Sequence, residues 1–217
     1  AKKDAVDGVA IIGSAAEGNL KSSSDLGLLL VLRDMPLPIT GGVAYVDGRM
    51  TDMIFLLQRD VLQVLEAGEA GFPQEGLQAS LVTWMRSARI EIDRCGCLAQ
   101  VQEKVRAGLT LESVSEGERQ SRRDKASYNL AHTKRMLASD EDAYLMGIDL
   151  RLLYQLSDLM VDYFRVRNLR WKGEKAAIRY WQAEDPSYLK LFKDCLRGTN
   201  RAQEVELYEA LATVTMA

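Results

Sequence analysis

The chain has few of the residues that build metal centres or disulfide scaffolds, and it has no long hydrophobic run. Its 217 residues include three cysteines and one histidine, whereas a structural zinc site normally takes four ligands. No apolar run approaches the roughly twenty residues needed to cross a bilayer. We therefore expect a cytoplasmic protein with incidental thiols, a structural His132, and neither a membrane segment nor a signal peptide.

Charge and composition exclude few classes of soluble globular protein. A net charge of −3 and a pI near 5.4 argue against extensive coating of nucleic acid. The composition, 47% hydrophobic and 27% charged, is typical of a globular protein that is long enough to bury a core. One large domain or two modest ones would fit this length, and the choice between monomer and homodimer stays open.

The first part of the chain has the pattern of a mixed α/β domain. Val9 to Ile12 and Leu26 to Leu32 are predicted strands, the second apolar on both faces as in the centre of a sheet. In GGVAYVDGRMTDMIFLL, two β-rich runs flank Asp47-Gly48, a strong signal for a two-residue hairpin turn. This turn predicts that Val46 pairs with Arg49 and that Val43 lies opposite Asp52.

The second part reads as almost entirely helical. Ser115 followed by Glu118 predicts a capped helix start, and an apolar stripe at helical spacing follows. The stripe consists of Leu145, Ile148, Leu152, Leu156, Leu159 and Tyr163. We predict an α+β fold, with an α/β domain over residues 1–98 and a bundle of four or five helices over residues 99–217.

Two aspartates each interrupt an apolar strand. Asp25 precedes LGLLLV, and Asp52 lies within MTDMIFLL on the same face as Ile54 and Leu56. An ionised carboxylate at the rim of an apolar layer needs a partner, and a divalent cation is a suitable one. Gly13-Ser14 at the end of the first strand allows close approach of an anion to the backbone. Neither a Walker motif nor G-x-G-x-x-G is present.

Gly-Ser, a spacer of about ten residues, Ser-Asp on a strand and an acid on a later strand resemble the DNA polymerase β-like nucleotidyltransferases. GSAAEGNLKSSSDLGLLLV looks like the corresponding stretch of the aminoglycoside nucleotidyltransferases of the kanamycin and streptomycin type. The helical half resembles the bundle that follows their catalytic domain. The resemblance covers most of the chain, but its specific part is the Gly-Ser to Ser-Asp element and the Asp52 strand.

The resemblance implies a set of roles for these residues. Asp25 and Asp52 would be catalytic and hold Mg²⁺. A nucleoside triphosphate, in the first place ATP, would bind through Gly13, Ser14 and Ser24. Lys175 or Lys172 would contact the phosphates, with the bundle closing a cleft for the acceptor. The implied reaction transfers a nucleoside monophosphate to a hydroxyl of an antibiotic-like small molecule or of a protein.

Position 27 departs from the family pattern. The second metal carboxylate should stand two residues after Asp25, where this chain has Gly27. Three explanations stay open from the sequence. The chain is a non-catalytic homologue that binds a nucleotide or a partner, or another acid (Asp34, Asp47 or Asp93) replaces the ligand, or Gly27 is a laboratory substitution. Glu17 is a second departure, because the family often has a basic residue in this turn.

Overall fold

A computed structural model describes residues 5–33, 40–66, 76–108 and 113–217. The chain forms two compact units, Ala1–Glu112 and Ser113–Ala217. The change in composition predicts a boundary after residue 98, whereas the contacts place it after Glu112. The difference arises from helix Cys97–Arg106, which buries Leu98 and Val101 in the core of the first unit.

The first unit is built on a five-stranded mixed sheet. Its central strand is parallel to one neighbour and antiparallel to the other, while the two outer pairings are antiparallel. The apolar residues on both faces of β2 fit this central place. In spatial order the strands are β3 (Gly41–Val46), β4 (Arg49–Leu57), β2 (Leu26–Leu32), β1 (Val6–Ile12) and β5 (Arg89–Asp93).

The β3–β4 hairpin confirms the predicted turn and register. Asp47 and Gly48 both have positive φ, 50° and 75°, as a two-residue turn of this kind requires. Val46 pairs with Arg49, and Val43 lies opposite Asp52.

Three helices cover one face of the sheet: α1 (Gln58–Glu66), α2 (Leu77–Met85) and α3 (Cys97–Arg106). Their apolar sides pack with Leu29 and Val31 of β2 and Leu56 of β4 into one buried cluster. Because side chains alternate along a strand, Gly27 and Asp52 belong to this same face of the sheet. Gly27 and Asp52 therefore lie just beyond the edge of this buried cluster.

The second unit consists of five helices, so the predicted α+β class is confirmed. The Ser115 hydroxyl accepts a hydrogen bond from the Glu118 amide, and Asp185 caps the helix that begins at Pro186. Tyr163 and Trp181 pack against Tyr188 at the centre of the core. No helix among the described residues is both long and apolar enough to span a bilayer. The helices are α4 (Glu116–Leu137), α5 (Asp142–Val166), α6 (Glu174–Glu184), α7 (Pro186–Cys195) and α8 (Arg201–Met216).

Candidate nucleotide and metal site

The strand pairings bring three separate parts of the sequence to Gly27. On one side Gly27 is the antiparallel partner of Ile12, the last residue of β1. On the other side it is the parallel partner of Asp52. The predicted phosphate turn therefore starts at Gly13, one residue after the β1 partner of Gly27. The predicted acid Asp52 is the β4 partner of Gly27.

Asp25 is placed by the same register. The β2–β4 pairing begins at Leu26 and Thr51, and the Arg49 guanidinium donates to the Ser24 carbonyl at 2.6 Å. This contact keeps Ser24, just before β2, next to Arg49 at the start of β4. Asp25 is two residues before Gly27, so its Cα lies within roughly 8 Å of the Asp52 Cα, from a rise of at most about 3.3 Å per residue and a strand separation of about 4.8 Å.

The two carboxylates have free coordination capacity. Asp25 is half-buried and Asp52 is exposed, and neither forms a hydrogen bond or ion pair with the described residues. Hard carboxylate oxygens suit Mg²⁺, which in proteins keeps several waters and is often held by only one or two carboxylates. The donor set therefore fits a hydrated magnesium ion.

The turn after β1 is exposed at Gly13 and has open space beside it. Gly13 has φ of 69° and opens a short 3₁₀ turn, Gly13–Ala15. The amides of Ala16 and Glu17 donate to the Gly13 carbonyl at 3.0 and 3.2 Å. A Cβ added to Gly13 would meet nothing within 4 Å, so the space beside this turn is open.

Arg49 holds the loop before Asp25 against the sheet, and the sequence analysis missed this role. Its Nη1 donates to the carbonyls of Lys21 and Ser24 at 2.9 and 2.6 Å. Ser24, predicted to bind nucleotide, also accepts the Lys21 amide on its hydroxyl at 3.2 Å. Its described contacts therefore shape the loop. Arg49 is present in the sequence, but no local motif marks its contact with this loop.

Position 27 has little room for a side chain. A Cβ built on Gly27 would lie 2.9 Å from Ile12 Cγ1 and 3.1 Å from the Ile12 carbonyl oxygen. Both distances are shorter than ordinary van der Waals contact. Ile12 thus fills the space where the resemblance expects a second metal carboxylate.

Two of the acids suggested as substitutes can be placed. Asp93 is not a substitute, because it pairs with Gly8 near the start of β1 and Gly27 pairs with Ile12 at its end. Gly8 and Ile12 are roughly 14 Å apart, at about 3.4 Å per residue, and Asp93 instead accepts the amides of Leu98 and Ala99. Asp47 occupies the exposed hairpin turn. Asp34 lies outside the described residues.

Glu17, Lys172 and Lys175, also named from the resemblance, all lie at the surface. Glu17 is exposed and accepts a hydrogen bond from the Ser87 hydroxyl at 3.4 Å. Lys172 and Lys175 are exposed at the start of the α6 region in the second unit, and their role as phosphate ligands stays a prediction.

His132 and the cysteines differ in part from expectation. In α4, His132 Nε2 lies 3.1 Å from Arg135 Nη2, while its buried Nδ1 has no partner among the described residues. Cys195 is a free, buried thiol as expected. The expectation of incidental thiols is wrong for Cys95 and Cys97, which form a disulfide, because the left-handed Gly96 between them lets their side chains meet.

No protein-family model matches the chain. No match is found among curated proteins. One solved structure, a nucleotidyltransferase-like protein from Exiguobacterium sibiricum, is similar over 99% of this chain and 69% of that chain, with 14% identity and a TM-score of 0.49. A likeness at this level does not bear on the chemistry of this chain, which therefore depends on the geometry described above.

Proposed function

We propose that the first unit binds a magnesium–nucleoside triphosphate, with ATP as the first candidate, and transfers the nucleoside monophosphate to a hydroxyl group. The observation that supports this most is the pairing of Gly27 with both Ile12 and Asp52. Ile12, which precedes the Gly13-Ser14 turn, and Asp52 lie on either side of Gly27, and Asp25 is two residues from Gly27 along the chain. Each of these features is common alone, but a phosphate turn beside two unpartnered carboxylates suits a metal-bound polyphosphate.

The residues would divide the work as follows. Asp25 and Asp52 would hold Mg²⁺, which supplies charge neutralisation for the phosphates when bound. The Gly13-Ser14 backbone would lie against the phosphate oxygens, because the space beside Gly13 is open. Asp52, the more exposed acid, would be placed to accept the proton of the attacking hydroxyl. The acceptor we propose is a small hydroxylated molecule of the aminoglycoside kind or a protein side chain.

A second candidate function is nucleotide or partner binding without catalysis. It is favoured by the short contact between a Cβ at position 27 and Ile12, which leaves two carboxylates where the family pattern has three. A metal held by fewer fixed ligands positions the reacting groups less well. A loss of about 3 kcal/mol of transition-state stabilisation would slow the reaction by roughly a hundredfold.

The decisive experiment measures ATP binding by calorimetry with and without Mg²⁺, for the wild-type chain and for Asp25→Asn and Asp52→Asn. We expect Mg²⁺-dependent binding that each substitution weakens at least tenfold. Glu91→Gln is the matched control, since it removes the same charge from β5, where Glu91 makes only a surface ion pair with Arg89.

Transfer is then assayed with α-labelled ATP, aminoglycosides and small proteins as acceptors. Label transfer that requires Asp25 and Asp52 supports the enzyme. Mg²⁺-dependent binding without transfer supports the second candidate. Equal ATP binding in the wild type and in both aspartate variants would contradict the proposed enzyme and its metal site, and it would favour the second candidate.

A further inference from the structure

Asp93, Cys95 and Cys97 form a second cluster of reactive side chains. Cys95 and Cys97 are joined in a disulfide across Gly96, with their Cα atoms 5.3 Å apart. Gly96 has φ of 69°, a conformation that side-chain-bearing residues rarely adopt. Asp93 Oδ1 lies 3.7 Å from Cys95 Sγ and 4.0 Å from Cys97 Sγ.

The two sulfurs differ in access and surroundings. Cys95 is half-buried, whereas Cys97 is only 1% exposed and belongs to the core. Cys97 is also the first residue of α3. An external thiol can therefore reach the half-buried Cys95 more readily than the buried Cys97, so Cys97 is the leaving group of the first step.

We propose that Cys95 and Cys97 are a redox-active pair that exchanges with low-molecular-weight thiols and their disulfides. In reduction, an incoming thiolate attacks Cys95 Sγ, the bond between the two cysteine sulfurs breaks, and Cys97 leaves with the electron pair and takes up a proton. A second thiolate attacks the external sulfur of the mixed disulfide, and Cys95 leaves and is protonated. The protein gains two electrons and two protons, and two external thiols become one disulfide.

Asp93 acts in this scheme as a positioning residue. Its carboxylate accepts the amides of Leu98 and Ala99 at 3.3 and 2.8 Å, which fixes it at the start of α3. From there it can accept hydrogen bonds from both thiols of the reduced pair. A nearby negative charge disfavours the thiolate, so Asp93 slows oxidation near neutral pH and favours the protonated dithiol.

This cluster is separate from the proposed nucleotide site. Asp93 pairs with Gly8, whereas the nucleotide site surrounds Gly27 at the far end of β1. The redox proposal does not depend on nucleotide binding and can be tested without it.

The test counts free thiols by mass spectrometry after the full chain is equilibrated with glutathione and glutathione disulfide at graded ratios, quenched with acid, and alkylated in denaturant. We expect two of the three thiols to disappear together as the disulfide fraction rises.

Burial raises the pKa of the Cys195 thiol to about 12, so Cys195 should stay reduced, and Cys195→Ser should leave the pair unchanged. Cys95→Ser should lose the internal disulfide. Asp93→Asn removes the charge and keeps one acceptor oxygen for the helix amides, and it should speed oxidation at pH 7 more than at pH 9.

Three results would overturn the proposal. The pair could stay reduced in tenfold excess of glutathione disulfide, or each cysteine could carry a separate glutathione. Alternatively, the reduced chain could retain one equivalent of Zn²⁺ that prevents oxidation and is lost in Cys95→Ser, which would identify a metal site.

Discussion

At the scale of single residues, Gly27 controls how many carboxylates the candidate site can hold. Its neighbours are a backbone carbonyl and the branched side chain of Ile12, both too close for an added Cβ. A simple glycine-to-acid substitution therefore changes packing and charge together. The two effects have to be separated by variants that share the Cβ and differ in the carboxylate.

Gly27→Ala and Gly27→Asp should both lower the free energy of unfolding, by about 1–3 kcal/mol, because overpacking of a buried contact costs this much. Ile12→Ala removes Cγ1 and should recover part of that loss in the double variants, giving a coupling energy in a double-mutant cycle. Urea denaturation measures the stabilities.

Gly27→Asp/Ile12→Ala should then bind Mg²⁺ more tightly than Gly27→Ala/Ile12→Ala. Equal Mg²⁺ affinity in this matched pair would show that position 27 does not face the metal.

The site residues divide by how local their signals are. Asp25 and Asp52 have local signals, because Asp25 directly precedes the apolar strand β2 and Asp52 interrupts β4, and their role in a site stays a prediction. Ile12 and Arg49 could not be predicted, because their roles depend on the antiparallel register of β1 with β2 and on the contact from β4 to the Ser24 loop. Those are long-range pairings that one sequence does not specify.

At the scale of elements, helix ends were the most predictable features. Ser115 and Asp185 each accept an amide hydrogen bond from a residue three positions on, and such caps are local in sequence. Contacts between helices were not predictable in this way. The start of α8 is joined to α5 by Arg201, whose Nε and Nη2 donate to the Asp149 carboxylate at 2.7 and 2.8 Å.

The α5–α8 ion pair should contribute a pH-dependent part of the stability. The hydrogen bond from Arg201 lowers the pKa of Asp149, so its contribution is present above the unfolded pKa of about 3.9 and is lost as the pH falls through the folded value. Arg201→Gln should therefore be less stable than wild type at pH 7, with a difference that shrinks toward pH 3. Both side chains are over two-fifths exposed, so the difference should be small.

Urea denaturation at pH 7, 5 and 3 measures this difference. Lys190→Gln is the matched control, since it breaks the ion pair with Asp194 inside a single helix. An Arg201→Gln deficit that is constant or grows as the pH falls would show that the pair does not act through Asp149.

At the scale of the whole molecule, each unit has a core of its own. Composition predicted the existence of two parts because the first mixes strand and helix patterns and the second is almost wholly helical. It predicted an earlier boundary because α3 resembles the helices that follow it. In the first unit, α3 packs against α1 and α2. This tertiary contact has no signal in the local sequence.

Fragments cut at the two boundaries should therefore behave differently. A fragment of residues 1–112 should unfold cooperatively in urea, and so should residues 113–217, whose core contains Trp181 and Tyr188. Residues 1–98 should show no cooperative transition and should bind a hydrophobic dye, because Val101 and Val105, both at most 1% exposed, are missing and the apolar face beneath them opens to water. Leu98→Ala in the 1–112 fragment is the control for packing alone and should cost about 2–5 kcal/mol while keeping the transition. If residues 1–98 unfold as cooperatively and at the same urea concentration as residues 1–112, α3 is not part of the first unit.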